Sequence, residues 1–291
     1  STILAMFMVV AAVLLMRRFV DPLADVIFAA QEMAQGRLNT RIATDKGPQD
    51  LRSLSESFNE MATSLERNDR ERREMLADVA HELRTPLSVI RGRLEGIIDG
   101  VYEENGSQVS MALEQTYVLE RLVDDLRLLT LAETRQLPFD KANVNIEALI
   151  ERVIAMFSAE SQEKNVTLTF AEKQGNLSAF VDPQRFEQVM SNLIGNALRY
   201  VNENGRVWVT AAETSDAVRI AVNDNGNGVP EGDLPYIFDR FWRKDKSRSR
   251  ITGGTGLGLA ISKQLIEAQG GSIHARNLPE GGLQVVIEFK K

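Results

Sequence analysis

The stretch LADVAHELRTPL, residues 76–87, belongs to a helix whose pattern organises the first half of the chain. Around it, apolar residues recur in steps of four and three, at positions 76, 80, 83, 87, 90, 94, 97 and 101. This spacing is typical of a helix packed in a bundle. His81 directly follows an apolar position, so we expect its imidazole at the edge of the apolar seam, facing water. Pro86 lacks the N–H that would bond the carbonyl of Glu82, which predicts a bend in the helix.

The composition limits the classes of protein to which the chain can belong. Its 291 residues are enough for about two or three domains. The formal net charge of -7 gives no electrostatic reason to expect nucleic-acid binding. The absence of cysteine excludes disulfides and thiolate metal sites. The presence of only two histidines, His81 and His274, argues against a histidine-rich metal centre.

An uninterrupted apolar run extends from Ile3 to Met16 and ends at Arg17 and Arg18. A spanning helix needs about 20 residues, so we interpret the run as the end of a truncated transmembrane helix. The arginine pair would then mark the cytoplasmic side of the membrane. No basic segment precedes the run and no small-residue cleavage site follows it, which argues against a signal peptide. A buried helix of a soluble protein is the other alternative.

Two amphipathic segments follow the apolar run. The first begins after Asp21 and Pro22, has apolar residues at 23, 27, 30 and 34, and should end at Gly36. Leu38 and Ile42 lie in a polar connector, and the second segment has apolar residues at 51, 54, 58, 61 and 65. Neither helix could bury its apolar face alone, which indicates a parallel dimer that forms a four-helix bundle.

The helix through His81 should run to about Val101, and a polar break at 103–107 separates it from another amphipathic helix. The inner face of that second helix carries residues 109, 113, 116, 119, 122, 126 and 129. The pair predicts a helical hairpin, which would close a second four-helix bundle in a dimer. Leu137 and Pro138 end the hairpin and begin a linker.

From about Val144 onward the pattern is mixed α and β. We predict helices at 146–157, 186–200 and 257–269, and strands at 166–170, 178–181, 206–212, 217–223, 272–276 and 283–289. The strands should form a mostly antiparallel sheet with helices on one face. The predicted fold class is therefore all-α helical bundles followed by an α+β two-layer sandwich.

Polar side chains in the stretches 192–200 and 224–228 are suited to binding a nucleotide. Asn192, Asn196 and Arg199 share one helical face by their spacing. An amide oxygen is a suitable ligand for Mg²⁺, and arginine pairs with phosphate oxygens. The carboxylate of Asp224 can accept a hydrogen bond from an exocyclic amine such as that of adenine. The alternatives are a polar helix face for the first stretch and an ordinary tight turn for the second.

Two later stretches could complete such a site. The stretch 237–243 is rich in aromatic residues and precedes a basic segment at 244–252, which could order over phosphates as a lid. An ordinary aromatic anchor is the alternative. The glycine-rich stretch 253–261 runs into an amphipathic helix, and such a helix start offers free N–H groups to phosphate. A dinucleotide fold is disfavoured, because no strand–turn–helix unit with a downstream acid surrounds these glycines.

Together these motifs carry a family resemblance. The sequence HELRTP at 81–86 resembles the phospho-accepting box of sensor histidine kinases. The four C-terminal stretches resemble the N, G1, F and G2 boxes of the histidine kinase ATP-binding domain, whose Bergerat fold also occurs in gyrase-type ATPases. The helix pair after the apolar run resembles a HAMP relay domain. The resemblance implies a membrane segment at 1–18, a HAMP domain at 19–70, a dimerisation and phosphotransfer hairpin at 71–137, and a catalytic ATP-binding domain at 138–291.

The resemblance also implies the functional residues. His81 becomes the phosphoryl acceptor, Glu82 and Thr85 become its catalytic neighbours, and Asn196 becomes the Mg²⁺ ligand. The implied nucleotide contacts are Asn192, Asn196, Arg199, Tyr200, Asp224, Gly226, Gly228, Phe238, Arg243, Gly254, Gly256, Leu257 and Gly258. Asn227 departs from the pattern, because the family usually has a small residue or proline between the two glycines of the G1 box.

The implied reaction moves the γ-phosphoryl group of Mg-ATP onto His81 and then onto an aspartate of a separate response regulator. Glu82 and Thr85 match the pattern by which such kinases position a hydrolytic water, so we also expect phosphatase activity toward that regulator. The implied protein is a homodimer in the bacterial cytoplasmic membrane, with this portion facing the cytoplasm and no nucleic-acid partner.

The alternatives are a gyrase-like or Hsp90-like ATPase and a catalytically inactive scaffold. The ATPase has no reason to carry a histidine before a proline-containing bundle helix. The presence of Asn196, Asp224 and the glycines opposes the scaffold.

Overall fold

The computed structural model describes residues 2–45, 48–102, 106–134, 136–243 and 255–290. Contacts divide the chain into two compact units, Ser1–Ala80 and His81–Lys291, and each is described by itself. The α-helices are α1 (Thr2–Leu15), α2 (Asp21–Ala34), α3 (Gln49–Ile98), α4 (Gly106–Glu133), α5 (Ile146–Met156), α6 (Ser158–Glu163), α7 (Pro183–Tyr200) and α8 (Gly258–Ala268). The strands are β1 (Ala142–Asn145), β2 (Thr167–Gln174), β3 (Ser178–Val181), β4 (Arg206–Glu213), β5 (Ala217–Asp224), β6 (Gly271–Asn277) and β7 (Leu283–Lys290).

The first two helices form one continuous helical stretch. α1 passes through a π-helical segment, Met16–Val20, into α2. Pro22 lies in the first turn of α2, where its missing N–H costs no helical bond. One helix of the described residues, Thr2–Ala34, is long and apolar enough to cross a membrane. Helical structure therefore continues well beyond Met16, where the apolar run of the sequence ends.

α2, the connector and α3 share a small core. Ala29 and Met33 of α2 pack with Ile42 of the connector and with Phe58 and Ala62 of α3. Positions 30 and 34, on the face predicted for α2, are exposed in the single chain. The apolar residues of α2 extend around more than one face, and the face that meets α3 lies one residue away. Positions 54, 61 and 65 of α3 are also exposed in the single chain.

α3 is one unbroken helix of 50 residues that contains both the second amphipathic segment, with its apolar residues at 51–65, and the HELRTP sequence at 81–86. It remains helical through Pro86, which is buried. Ion pairs between residues one turn apart, Arg67 with Glu71 at 2.7 Å and Arg73 with Asp69 at 2.8 Å, support its solvent-exposed middle part.

α3 and α4 are the two consecutive helices of the predicted hairpin, and the Arg93 side chain of α3 donates to the Gln108 side chain of α4. α3 ends at Ile98, earlier than predicted, because Gly100 turns the chain with a φ of 70°. The N–H groups of Val101 and Tyr102 then donate to the carbonyl oxygen of Gly96, at 2.9 and 3.0 Å. Positions 122 and 129 of α4 are buried in the C-terminal core. The apolar positions 76, 87 and 94 of α3 and 109 and 113 of α4 are exposed in the single chain.

A five-stranded sheet in the order β2-β4-β5-β7-β6 forms one layer of the C-terminal region. β2 and β4 are parallel, and the other neighbouring strands are antiparallel. α5, α7 and α8 pack on the sheet as the second layer. Large buried side chains such as Phe186, Ile194, Ile220 and Leu265 fill the space between the layers. The predicted α+β two-layer sandwich is confirmed.

The prediction that β3 belongs to the main sheet is wrong. β3 pairs antiparallel with β1, from Ala142 opposite Val181 to Asn145 opposite Ser178, in a separate two-stranded sheet. A four-residue strand has too little pattern to indicate its neighbour. β1 itself and the six-residue α6 are missed for the same reason.

The position of α7 is fixed at its first turn. The carboxylate of Asp182 caps the helix by accepting a hydrogen bond from the N–H of Arg185 at 3.0 Å, and it also accepts one from the N–H of Asp140 at 2.9 Å. Pro183 occupies the start of the helix, where it loses no hydrogen bond. This cap determines where α7 begins and so where its polar residues lie.

Candidate active site

A cavity of about 950 Å³ lies between α4, α7, the end of β5 and the start of α8. This volume is sufficient for a nucleotide-sized ligand. The predicted nucleotide contacts on its wall are Asn192, Asn196, Arg199, Tyr200, Asp224, Gly228, Arg243, Gly256 and Gly258. Residues from distant parts of the C-terminal region thus converge on one space.

Some predicted contacts lie outside that wall. Gly226, Phe238 and Leu257 are not among the described residues that line the cavity. Leu257 is fully buried in the core, and Phe238 packs against the same core. A direct contact of these three residues with nucleotide stays a prediction. Gly254 and the predicted lid, 244–252, lie outside the described residues.

α7 presents its polar side chains along one face, as their spacing predicts. The side-chain amide of Asn192 donates to the carbonyl oxygen of Gly258 at 3.3 Å and so joins α7 to the start of α8. Asn196 and Arg199 lie half-buried on the cavity wall. An amide oxygen in this place fits a Mg²⁺ ion whose other ligands are phosphate oxygens and water. No cluster of three or more histidine, aspartate or glutamate ligands occurs within the described ranges.

Asp224 ends β5 and is only 6% exposed. Its Oδ1 atom accepts hydrogen bonds from the N–H groups of Gly226 at 2.8 Å and Leu283 at 3.3 Å. Burial raises the pKa of the Asp224 carboxyl above its ordinary value, and the two backbone bonds oppose that rise. The bonds fix the orientation of a side chain that, when ionised, can accept a hydrogen bond from an exocyclic amine.

Two glycines allow neighbouring backbone segments to pack closely around the end of β5, where Asp224 lies. A Cβ on Gly226 would lie 2.5 Å from the carbonyl oxygen of Tyr200, and one on Gly282 would lie 1.9 Å from the carbonyl oxygen of Asp224. Gly282 also has a φ of 97°, which other residues rarely adopt. The turn between β6 and β7 therefore packs directly against Asp224. This turn was not predicted from the sequence, although its paired glycines before a strand were a usable signal.

The start of α8 is paired with a strained turn at Phe241. The Phe241 N–H donates to the carbonyl oxygen of Gly256 at 3.0 Å. Phe241 has a φ of 59°, a left-handed conformation that costs a non-glycine residue about 1–2 kcal/mol. A Cβ on Gly256 would lie 2.9 Å from the Phe241 backbone, so glycine is needed here. This pairing fixes the start of α8, whose free N–H groups can bind phosphate.

Ion pairs join the nucleotide region to the hairpin. Arg243 donates to the Glu82 carboxylate at 2.7 Å, and 15% and 25% of the two side chains are exposed. Arg240 pairs with Glu133 at the end of α4. The residues on both sides of the strained turn at Phe241 are thus held against the helices of the hairpin.

α4 also contributes to the cavity wall, through Arg121 and Asp125. The hydroxyl of Thr255 donates to the Asp125 carboxylate at 3.2 Å. Burial raises the pKa of Asp125, and the bond from Thr255 opposes the rise. Neither α4 residue was predicted as part of the site, because no motif distinguishes them from other polar positions of a bundle helix.

His81 is exposed on α3, as predicted. The hydroxyl of Thr85, one turn later, donates to the carbonyl oxygen of His81 at 3.3 Å. Glu82 is half-buried and held by Arg243. His81 therefore offers an accessible imidazole beside a fixed carboxylate, in the same folded unit as the cavity.

Comparisons with known proteins agree with this arrangement. Residues 14–67 match the HAMP domain, and residues 71–135 match the His Kinase A (phospho-acceptor) domain. Residues 181–291 match the family of histidine kinase-, DNA gyrase B- and HSP90-like ATPases. The signal transduction histidine-protein kinase BaeS of Escherichia coli (strain K12) is 35% identical over 279 residues, which are 96% of this chain and 59% of BaeS. The chain thus spans about three-fifths of the length of this relative.

Solved structures give the same result. The histidine kinase AdeS of Acinetobacter baumannii is 31% identical with a TM-score of 0.61, and the match covers 72% of this chain and 97% of AdeS. The histidine kinase ThkA, in complex with the response regulator protein TrrA, is 27% identical with a TM-score of 0.62 over 79% of this chain and 66% of ThkA. The likeness to AdeS and the joint match to phospho-acceptor and ATPase domains agree with the geometry of the site, and the chain belongs to the sensor histidine kinase family of two-component systems.

Proposed function

We propose that this chain is the signalling portion of a membrane-anchored kinase that phosphorylates His81 from ATP and passes the phosphoryl group to an aspartate of a response regulator. The observation that carries the proposal is an exposed His81 in the same folded unit as a cavity lined by Asn196 and Asp224. The joint match to a phospho-acceptor domain and an ATPase domain supports it. It disfavours a gyrase-like ATPase, which needs no phospho-acceptor helix.

Two related structures support the ligands that we propose. The histidine kinase ShkA, 26% identical with a TM-score of 0.56, was crystallised in complex with AMPPNP, an ATP analogue. The complex of ThkA with TrrA supports a response regulator as the protein partner.

The nucleotide would lie with its base at Asp224 and its phosphates near the start of α8. The carboxylate of Asp224 accepts a hydrogen bond from the exocyclic amine of adenine. Arg199 pairs with phosphate oxygens, and backbone N–H groups around Gly256 and Gly258 contact them at the positive end of the helix. Asn196 would hold Mg²⁺, which neutralises charge on the phosphates.

In the proposed reaction, a neutral ring nitrogen of His81 attacks the γ-phosphorus of ATP. An N–P bond forms while the bond to the β,γ-bridging oxygen breaks, and ADP leaves with that electron pair. Glu82 takes the proton of the other ring nitrogen or holds the reactive tautomer. In this structure the Glu82 carboxylate is held by Arg243 at 2.7 Å.

We also propose that the chain works as a homodimer, anchored on the cytoplasmic face of a bacterial membrane by the helix within Thr2–Ala34. The exposed apolar positions 76, 87 and 94 of α3 support a second copy as the partner. The domain boundaries given by the sequence pattern, with the relay at 19–70 and the hairpin at 71–137, are part of this proposal. Glu82 and Thr85 would in addition position water for dephosphorylation of the regulator.

Labelling with γ-labelled ATP tests the proposal on the full chain in lipid nanodiscs. Wild-type protein should retain label, whereas Asn196→Asp should retain none while its circular dichroism stays unchanged. The added charge disturbs the Mg²⁺ shell without removing a core side chain. A gyrase-like ATPase would instead release phosphate without holding label, and an inactive scaffold would do neither.

A further inference from the structure

Asn277, the last residue of β6, forms hydrogen bonds to the backbone of one residue in the loop that follows Asp224. Its Nδ2 donates to the carbonyl oxygen of Val229 at 2.6 Å, and its Oδ1 accepts from the N–H of Val229 at 2.9 Å. A side-chain amide offers a donor and an acceptor side by side, so it satisfies both backbone groups of Val229. Two bonds to one residue fix both its position and its orientation.

The residue before Val229 lies against the same side chain. Gly228 has a φ of 57°, and a Cβ there would lie 2.8 Å from Oδ1 of Asn277. Both Gly228 and Val229 line the cavity. The Asn277 amide is therefore in direct contact with the back of the cavity wall.

The same hairpin of strands also holds Asp224. Leu283, at the start of β7, donates its N–H to Oδ1 of Asp224 at 3.3 Å. The short turn between the strands is closed by bonds from Leu278 N–H to the Gly282 carbonyl and from Gly281 N–H to the Leu278 carbonyl, both 3.0 Å. One side of this turn thus binds Asp224, and the other side, through Asn277, binds the loop after it.

The middle of the loop, from Gly226 to Gly228, contains no proline, and the first proline is Pro230, directly after Val229. Asn227, between Gly226 and Gly228, is exposed. A loop with two glycines has many accessible conformations, so holding one conformation is costly in entropy. The two bonds from Asn277 supply a restraint from behind the loop.

We infer that Asn277 is a positioning residue for the nucleotide: it holds Gly228 and Val229 in place, so that the loop presents Asp224 to the base. This inference rests on the proposed nucleotide site. Asn277 acts through the loop and is not itself among the described residues that line the cavity. Its loss should therefore weaken ATP binding more than it slows the chemical step at saturating ATP.

Autophosphorylation rates of the full chain in nanodiscs, measured against ATP concentration, test this inference. Asn277→Ala should raise the half-saturating ATP concentration by about tenfold, since it removes two hydrogen bonds to a cavity loop, and should leave the plateau rate nearly unchanged. Asn277→Asp keeps the size of the side chain and the bond from the Val229 N–H, but it turns an oxygen toward the Val229 carbonyl. It should therefore raise the half-saturating concentration as well.

Arg276→Ala is the matched control, because Arg276 precedes Asn277 on the same strand but is bonded to Gln284 at 2.7 Å instead of to the loop. It should leave the half-saturating ATP concentration unchanged. Amide exchange gives a second readout: the Val229 N–H should be protected in the wild type and unprotected in Asn277→Ala.

The inference is overturned if Asn277→Ala and Asn277→Asp shift the half-saturating concentration no more than Arg276→Ala does. It is also overturned if they lower only the melting temperature or only the plateau rate. If Asn277→Ala does not fold, the test rests on the half-saturating ATP concentration of Asn277→Asp and on the amide exchange of the Val229 N–H in the wild type. Asp224→Ala separates failure of this inference from failure of the proposed nucleotide site. If Asp224→Ala still binds ATP, the proposed site is refuted. If Asp224→Ala loses ATP binding while the Asn277 variants bind ATP normally, only the role of Asn277 is refuted.

Discussion

The ion pair between Arg240 and Glu133 should hold the nucleotide region against the hairpin. The two side chains are 34% and 24% exposed, so solvent screening limits the pair to about 1 kcal/mol. Removing either partner should therefore raise the population in which α4 separates from α8 about fivefold. Neither residue is among the described residues that line the cavity, so the affinity for nucleotide in the closed population should not change.

Thiol labelling measures that separation, because the chain has no cysteine of its own. Leu129→Cys places a thiol where the side chain is 1% exposed, in the core that α4 shares with the C-terminal region. The thiol should react only when the hairpin opens. In this background, Glu133→Gln or Arg240→Gln should speed labelling about fivefold. The exchanged pair, Glu133→Arg with Arg240→Glu, should return the rate toward its starting value.

Glu147→Gln is the matched control, since it removes an exposed ion pair with Lys173 at 2.7 Å that does not involve α4. It should leave labelling unchanged. The reasoning is refuted if Glu133→Gln and Arg240→Gln label at the control rate, or if the double-mutant cycle shows no coupling between the two positions.

Further predictions concern the cavity and α3. ATP affinity should fall on acidification at a pH above the ordinary pKa of aspartate, because burial raises the pKa of Asp224 and protonation removes its acceptor. Binding titrations should show this fall in the wild type and not in Asp224→Asn, and a pH-independent wild type would contradict it. Thr85→Ala should remove phosphatase activity and leave autophosphorylation largely intact; equal loss of both would mean that Thr85 only supports the helix. If the apolar spacing at 51–65 of α3 continued at the same period, Asn68 and Arg72 would lie in the core of the bundle. The apolar positions around His81 are instead one residue out of phase with that spacing. We expect the two seams to compete for the core of the bundle, so Asn68→Leu with Arg72→Leu should favour the first seam and hold the membrane-embedded protein in a single activity state. If the ratio of kinase to phosphatase activity is unchanged in folded, dimeric protein, the two seams do not compete.

Features that depend on local pattern could be predicted from the sequence. β3 spans Ser178–Val181 as predicted, because alternation of side chains is a property of the strand itself. The common face of Asn192, Asn196 and Arg199 follows from helical spacing for the same reason. Asp224 could be singled out only through the resemblance of its stretch to the G1 box, because a carboxylate followed by glycines at a strand end also occurs in ordinary tight turns.

Contacts between distant residues could not be predicted in this way. Arg243 and Glu82 are 161 positions apart in the chain, and Asn277 and Val229 are 48 apart. Nothing in the local pattern of either partner indicates the other, because the pairing arises only when the layers assemble. The same holds for the pairing of β3 with β1 and for Asp125, which is a common polar residue until Thr255 packs against it.

The chemical stability of the label on His81 tests the central claim most directly. The full chain in nanodiscs is incubated with γ-labelled ATP, and the labelled protein is then treated with acid or base. We predict label that is lost in acid and kept in base, as expected of a phosphoramidate. We also predict no label in His81→Gln, which should still bind ATP because His81 is not among the described residues that line the cavity. Label that survives acid, or that His81→Gln incorporates at the wild-type rate, would contradict the account.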